Sequence, residues 1–593
     1  MTVMVEATSS RSNAERLKPI LIFGLMAAVL ALRILQLFSA VSSPLSYQPG
    51  PDEDYYLRFG EAVAAGLGGV SPEFNFMDPG YGYLLGALFK LFGVNLFAVY
   101  LLQALLDTAT AYGVLVIGRL LGRPRAGLYG AILYGVTSTA IMFCTTLLKE
   151  ICVASYVTWW VAGALALIRS ERKLAWLAFG VLCGLGVALR STLLALGLLA
   201  LLLPGLSQSP SVPSAPGPDP GPGRGSGAWR SRTMAAALIA CGMLLSLLPW
   251  ALRNFHAYGG LSPLPHNGGI VLHQIYNEQN PESGIWIPPF VNYSHPSEIW
   301  RGYAAEASRR QGRALSPPEV DRYWRQQALI YMKDHPAEVL RGVLHKSLAF
   351  LSATEVPNNR FSAEERLFSP VLALLPAPAT WLLALGLAGL VWLALEDRRW
   401  LIIAAPIFIA WLTMAVFWAE DRFRFHATPL LALCSGLWID SAVRHLKDHR
   451  RWQVPVFALL AALIAGVSLY LGSQNPPPAI RWDHIVWGYI KMGEIPRARE
   501  LAQRIAQEQP DNGPILEALG YTAAANRQYE EAAQDLERAI ALRPRSHVAH
   551  SNLARAYLAL GRRTDAEQEA KIAIDLYPSP DYQALLSQIE ATP

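Results

Sequence analysis

The stretch "PILIFGLMAAVLALRILQLFSAV", residues 19 to 41, decides the class of fold. At 1.5 Å of rise per residue, a helix of this length spans the roughly 30 Å of a bilayer's hydrocarbon core. Directly after it, "YQPGPDEDYYLRFGEAVAAG", residues 47 to 66, sets Asp52, Glu53 and Asp54 side by side. Carboxylates this close together and this near hydrocarbon repel one another and are partly desolvated. At least one pKa is therefore expected to rise toward neutrality, as suits a general base. The apolar residues of "YYLRFGEAVAAG" recur at helical spacing and predict a short interfacial helix.

The composition agrees with a membrane assignment. The chain has 593 residues, of which 52% are hydrophobic and only 16% charged, with 17 Trp. Its mean hydropathy is +0.26, outside the range of soluble enzymes. The net charge of +5 is too diffuse to suggest a nucleic-acid partner. The five cysteines, Cys144, Cys152, Cys183, Cys241 and Cys434, lie inside apolar stretches without paired spacing, which argues against a disulfide framework or a zinc site.

Apolar runs long enough to cross a bilayer number about eleven, near 19–41, 94–120, 126–146, 147–168, 174–190, 191–204, 233–252, 371–395, 400–418, 426–443 and 453–472. Arg11, Arg16 and Lys18 precede the first, which places residues 1–18 in the cytoplasm by the positive-inside rule. The first run lacks a small-residue cleavage site and reads as a retained anchor. With eleven spans the basic loops "GRLLGRPR", "RSERK", "EDRRW" and "RHLKDHRR" all fall inside. The first loop at 41–80, the 253–370 segment and everything after 472 then fall outside. Residues 205–232, rich in Pro, Gly and Ser, are expected to form a disordered cytoplasmic linker. Residues 253–370 are expected to form a small, mostly helical extracytoplasmic subdomain.

The C-terminal part repeats. Pro510, Pro544 and Pro578 are 34 residues apart, as are Ala498, Ala532 and Ala566. Leu553, Ala554, Tyr557, Gly561, Ala566, Ala570, Ala573 and Pro578 occupy the positions of the tetratricopeptide pattern. Residues 479–593 are thus expected to form an α-solenoid of three such repeats, a kind of stack that binds a peptide or a protein partner or serves as a spacer.

Ionisable groups collect at the outer ends of the expected spans. Besides the opening acids there are Lys149 and Glu150 in "LLKEICVASY", Arg190 between the two short spans, and Glu420, Asp421, Arg422, Arg424 and His426 in "WAEDRFRFHATPLL". Charged groups at a membrane boundary are costly and mark a site by default. Guanidinium forks hold phosphate, and a carboxylate takes a proton from an incoming hydroxyl. The bland alternative makes each of them a snorkelling or boundary residue.

In the order of these pieces the chain resembles the membrane-integral GT-C glycosyltransferases, in particular bacterial relatives of the protein O-mannosyltransferases and the lipid A aminoarabinose transferases. The resemblance runs over about residues 20 to 440. It is carried by "PDEDYY", "DPGYGYLLGALFKLFG", "LLKE", "LRSTLLAL", "PWALRNFHAYGGLSPLPHNGG", "HPAEVLRGVLHKSLAFLSATEVPNN" and "RFRFHATPLL". It implies an all-α polytopic membrane fold of GT-C type over 19–472. It also implies that Asp52 is the catalytic base or an acid that organises the acceptor, with Glu53 as its partner, that Glu150 is a second acid on the acceptor side, and that Arg190, Arg422 and Arg424 contact the donor phosphate. Asp54, Tyr56, Lys149, Arg253, Asn254 and His426 complete the implied substrate-binding set. Relatives carry a second Pro where this chain has Gly80-Tyr81-Gly82-Tyr83, and many carry Pro in place of His426.

The resulting expectation is a bacterial inner-membrane enzyme that moves a sugar from a polyprenyl-phosphate donor to an extracytoplasmic polypeptide, lipid or glycan, its repeats recruiting a protein or peptide partner. No cofactor or metal is demanded, and a divalent cation bridging an acid to phosphate stays open. The rival readings are a membrane-anchored repeat scaffold for envelope polysaccharide assembly and a lipid-linked oligosaccharide ligase or polymerase.

Overall fold

The computed structural model describes residues 18–68, 76–206, 224–284, 286–291, 296–375, 379–446, 452–475 and 478–591. The described residues are helical, with no β-strand among them. The N-terminal segment expected in the cytoplasm lies outside the described residues except for Lys18. So do most of the expected linker, at 207–223, and part of the first loop, at 69–75.

The chain divides into two compact units. The first comprises residues up to 37, 51–362 and 369–478. Its first long helices are α1 (Pro19–Val41), α2 (Pro51–Ala64), α3 (Pro79–Phe92), α4 (Leu96–Leu120), α5 (Pro124–Gly135), α6 (Glu150–Leu167), α7 (Lys173–Leu189) and α8 (Arg224–Tyr258). Four helices then follow within 253–370, α9 (Gly268–Ile275), α10 (Pro296–Gln311), α11 (Pro317–Asp334) and α12 (Pro336–Ala349), and they belong to the same unit rather than separating from it. The unit closes with α13 (Ala379–Glu396), α14 (Trp400–Val416), α15 (Asp421–Phe425), α16 (Thr428–His445) and α17 (Gln453–Ser473).

Five helices are long and apolar enough to cross a membrane: α1, α4, α6, the 230–258 part of α8, and α17. Four shorter apolar helices accompany them, at Lys173–Leu189, Ser191–Ala200, Thr380–Glu396 and Trp400–Val416. The expected span at 126–146 is broken after Gly135, and that at 191–204 is divided into short turns, so the described helices do not by themselves give eleven spans. The expected linker also needs correcting, because residues 224–232 are the first turns of α8. Extending an existing helix costs far less than nucleating one, and this carries the Gly- and Ser-containing stretch along.

The helices pack as membrane helices do. α1 leaves Ile20 and Phe23 more than three-quarters exposed, a surface that only hydrocarbon satisfies. α7 and α8 lie backbone to backbone, since a Cβ at Gly180 would collide with the Ile239 backbone and one at Gly242 with that of Leu177. All five cysteines are free, four of them buried.

A fully buried ion pair ties α1 to α4. Arg33 Nε donates to Asp107 Oδ2 at 2.8 Å and Arg33 Nη2 lies 2.7 Å from the same oxygen, while the Tyr134 hydroxyl donates to Asp107 Oδ1. Arg33 also donates to the Gly135 carbonyl, capping the end of α5.

The second unit comprises 38–50, 363–368 and 479–593. Its helix pairs are α18 (Trp482–Lys491) with α19 (Ile495–Glu508), α20 (Gly513–Ala525) with α21 (Tyr529–Leu542), and α22 (His547–Ala559) with α23 (Arg563–Leu576), followed by α24 (Pro580–Ala591). Fully buried Ala498, Ala532 and Ala566 let the paired helices approach. Each repeat proline stands just past a helix end, where its missing N–H removes no helical bond. The unit is larger than the repeat sequence. The Pro44–Ser46 turn packs on α18, where a Cβ at Gly488 would meet the Pro44 backbone. Buried Glu364 receives Arg481 Nε at 2.9 Å, Nη2 at 2.7 Å and the Arg481 backbone N–H at 2.8 Å.

Removing one partner of the membrane pair strands the other charge. Asp107→Ala should cost about 3–5 kcal/mol of stability in thermal unfolding of the detergent-solubilised protein, and Arg33→Met combined with Asp107→Leu should recover most of that loss.

Candidate active site

α2 begins with Pro51 at its first position, so Asp52, Glu53 and Asp54 occupy the first turn, where the helix dipole favours carboxylates. Consecutive helical residues point about 100° apart, and the three acids therefore diverge instead of facing one another. Asp52 Oδ2 accepts from Asn359 Nδ2 at 2.8 Å and pairs with the Arg422 guanidinium, while the Asp52 backbone N–H donates to Asn359 Oδ1 at 2.9 Å. Glu53 is fully buried, accepting from Arg360 Nε at 2.8 Å and from the Leu147 backbone N–H at 3.0 Å. Asp54 pairs with Arg58, one turn along α2, at 2.9 Å. The sequence pattern suggested a cluster of mutually repelling acids; in the fold each acid has its own cation.

Asp52 lines a cavity of about 220 Å³ together with Tyr56, Lys149, Glu150, Arg190 and Arg422. Six of the expected residues thus meet, although they are scattered over 371 positions of sequence from Asp52 to Arg422, both included. Asp78, which sequence reasoning passed over, also lines it. This residue precedes α3 and accepts from Lys149 Nζ at 2.5 Å, from the Ser191 backbone N–H at 3.1 Å and from the Ser191 hydroxyl. Its signal in the sequence was an Asp directly before a helix-starting Pro in "DPGYGY".

The wall consists of three acid–cation pairs: Asp52 with Arg422, Asp78 with Lys149, and Glu150 with Arg190, the last at 2.8 Å. Arg190 and Arg422 both lie over the Phe423 ring, at 4.8 and 5.1 Å from its centroid, and Lys149 lies 5.8 Å from that of Tyr56. Arg422 Nε also reaches Glu420 at 2.5 Å, and burial pushes the Glu420 carboxyl up against the opposing pull of Arg422. Several buried polar atoms of this wall have no hydrogen-bond partner among the described residues, among them Tyr56 Oη, Glu150 Oε2, Arg190 Nε and Trp418 Nε1. Desolvated donors and acceptors of this kind are costly unless a ligand or water meets them.

A second cavity, of about 800 Å³, is lined by apolar side chains including Trp160, Leu203, Phe350, Leu390 and Trp400. α14 serves both cavities. Its residues from Trp400 to Trp411 face the apolar one, whereas Thr413, with Phe417 and Trp418 just beyond the helix end, faces the polar one.

The other expected residues stand elsewhere. Arg424 is two positions from Arg422 on α15 and points to a different side. It donates to the Phe350 carbonyl at 3.2 Å and the Ser352 carbonyl at 2.6 Å and pairs with Asp421 at 2.7 Å. Arg253 packs against Tyr83 and Tyr258 and donates to Asn254 Oδ1 at 2.8 Å, while Asn254 donates to the Ser262 carbonyl at 2.7 Å. Together they fix the loop after α8. His426 is buried with Nε2 unpartnered, and neither it nor Glu53 nor Asp54 lines the cavity. Among the described residues no group of three or more His, Cys, Asp or Glu is arranged to hold a metal ion.

Helices of membrane-crossing apolarity, a charged cavity at the end of α14 and a stack of helix pairs make this a polytopic membrane protein with a helical-repeat tail. Residues 77–209 match the dolichyl-phosphate-mannose-protein mannosyltransferase family, and residues 485–547 and 523–589 match tetratricopeptide repeats. A curated relative, the undecaprenyl phosphate-alpha-4-amino-4-deoxy-L-arabinose arabinosyl transferase of Pseudomonas aeruginosa, is 31% identical over 222 residues, which are 34% of this chain and 36% of the relative. The chain thus spans about a third of the length of that relative. Two structures of the Archaeoglobus fulgidus oligosaccharyltransferase are also similar. One, tethered to an acceptor peptide, has 14% identity and a TM-score of 0.41, covering 79% of this chain and 57% of that one. The other, with an inhibitory peptide and dolichol-phosphate, has 15% identity and a TM-score of 0.39, covering 78% and 57%.

The two neighbouring arginines should separate cleanly. Arg424→Gln removes the tie to the 350–352 backbone and should lower the melting temperature of the protein, whereas Arg422→Gln, on the cavity wall, should leave melting closer to wild type, as measured by thermal unfolding.

Proposed function

We propose that the protein is a membrane glycosyltransferase that moves a sugar from a polyprenyl-phosphate carrier to an acceptor hydroxyl, in the inner membrane of a bacterium, with the cavity and the repeats on the outer side. The observation that carries this reading is the run of α14 from an apolar cavity into one walled by Arg190, Arg422 and Lys149. An isoprenoid chain suits the apolar cavity and its phosphate suits the charged one. The match of residues 77–209 to a family named for a dolichyl-phosphate donor supports the same reading.

The chemistry follows from the wall. The leaving group is already a phosphate, so its departure needs charge stabilisation more than protonation, and two guanidinium groups with one ammonium group supply it. An acceptor hydroxyl becomes a nucleophile when Asp52 takes its proton. Arg422 is paired with Asp52, and a phosphate in the cavity would compete for that guanidinium. Donor binding would therefore free the carboxylate for the acceptor. Glu150 has one oxygen bonded to Arg190 and the other unpartnered, which suits it to orient the acceptor. Glu53, locked between Arg360 and Leu147, acts as the peg that sets α2. The repeats are proposed to recruit a polypeptide acceptor or partner.

Asp52→Asn should lower sugar transfer from a polyprenyl-phosphate donor at least about a hundredfold in a protein that still folds, the scale of a lost general base. A non-enzymatic scaffold would be indifferent to this change. For orientation, a cysteine placed in the repeats should be labelled only from outside in intact cells, and one at 224–232 only from inside. Labelling of both from one side would mean an even number of crossings between them and would overturn the span count.

A further inference from the structure

Asp78 has no part in the reaction above, and its own helix does not account for it. An Asp directly before a helix ordinarily accepts from the N–H groups of the first turn. Asp78 stands at that position of α3, next to Pro79, yet its side chain makes no bond to the turn. It reaches two other segments instead. Oδ2 accepts from Lys149 Nζ at 2.5 Å, beside the start of α6, and Oδ1 accepts from the Ser191 backbone N–H at 3.1 Å and from the Ser191 hydroxyl, just beyond α7. Asp78 and Lys149 keep only 13% and 10% of their side chains exposed, so this is no solvated surface pair.

The chain around Asp78 is itself held on three sides. The Met77 backbone N–H donates to the Tyr55 hydroxyl of α2 at 3.2 Å, and the Asn267 side chain, before α9, donates to the Phe76 carbonyl. Gly80 lies against the end of α7, where a Cβ would meet the Ala188 carbonyl. From this fixed place Asp78 closes a ring of contacts. Lys149 and Glu150 are consecutive, as are Arg190 and Ser191. Glu150 joins the two segments directly, pairing with Arg190 at 2.8 Å, and Asp78 joins them a second time through Lys149 and Ser191. Two cations that repel one another, Lys149 and Arg190, thereby stay on one wall of the cavity.

We propose that Asp78 is a positioning residue for the donor phosphate: it presents Lys149 beside Arg190, so that the phosphate meets both cations at once. The role rests on the glycosyltransferase reading of the cavity. A group that binds through several charges gains most when those charges are already in place, and a supporting carboxylate on a fixed backbone provides this. When phosphate draws Lys149 away, Asp78 keeps both bonds from Ser191 and is not stranded as a bare buried charge. Without the Asp78 charge, Lys149 would stand near Arg190 with no acid of its own. A largely buried ammonium in that setting is disfavoured, and the wall would lose a preplaced cation.

The test is a double-mutant cycle in the full-length protein in lipid nanodiscs, read as binding of undecaprenyl phosphate, the probe. Asp78→Asn keeps an oxygen for Ser191 and removes the charge that holds Lys149. It should weaken binding about tenfold, and Lys149→Gln should do the same. Because Asp78 acts through Lys149, the double variant should bind within about twofold of Lys149→Gln alone. A residue that merely supported the fold would instead weaken binding by the same factor in both backgrounds. If Asp78→Asn does not fold, Asp78→Glu replaces it in the cycle; it keeps the charge but shifts it by one methylene, and should cost about threefold or more only where Lys149 is present. Losses that multiply in the double variant would overturn the role of Asp78. So would unchanged or tighter binding by Asp78→Asn, since Asp78 would then only compete with phosphate, and so would normal binding by Lys149→Gln. Failure of wild type to bind the probe at all would overturn the glycosyltransferase reading itself, and this role with it.

Discussion

The Asp52 carboxylate is held by Asn359 and Arg422, residues more than three hundred positions away in the chain. A carboxylate at the edge of hydrocarbon cannot stand alone, because the cost of desolvating its charge exceeds what one backbone contact returns. It has to be met by donors, and the segments that deliver those donors must come to the start of α2. The loop after α12 and the short helix α15 exist in their positions for this purpose. Glu53 makes the same demand one residue later and is met by Arg360. Two adjacent acids thus fix one helix end against two distant stretches of chain.

The same requirement runs through the cavity and gives it its character. Acids and cations are paired across different helices, so the wall is close to neutral overall while carrying high local charge. A pair can be exchanged more readily than a lone charge can be buried, which makes such a wall suited to an anionic ligand that swaps partners on arrival. Phe423 lies beneath two guanidinium groups and keeps them near each other despite their repulsion, since an aromatic face attracts both. Deeper in the membrane, Arg33 and Asp107 solve the equivalent problem structurally, with Tyr134 satisfying the second carboxylate oxygen.

The repeat-bearing unit is also not the independent appendage that its sequence suggests. Its first helix pair takes in the turn at Pro44 and the buried carboxylate of Glu364, both supplied from the membrane-domain part of the sequence. Repeat periodicity identifies what stacks within the array and is blind to a single proline or glutamate that docks on its end.

By itself the sequence determined the local properties: which runs are apolar at helical length, which residues repeat at 34, and which charges sit at helix ends where hydrocarbon stops. These depend on neighbours along the chain, and they were enough to indicate helices, repeats and six residues of the cavity wall. Only the tertiary structure decided which charges face one another. Asp52, Glu53 and Asp54 look like one cluster when written in a row, yet helical geometry turns them to three different cations. Arg422 and Arg424 look equivalent, yet one lines the cavity and the other ties a loop. Asp78, Asn359 and Arg360 are unremarkable as letters and acquire meaning from partners far away in the chain. Pairing of charges is set by distance in space, and a linear sequence records only distance along the chain.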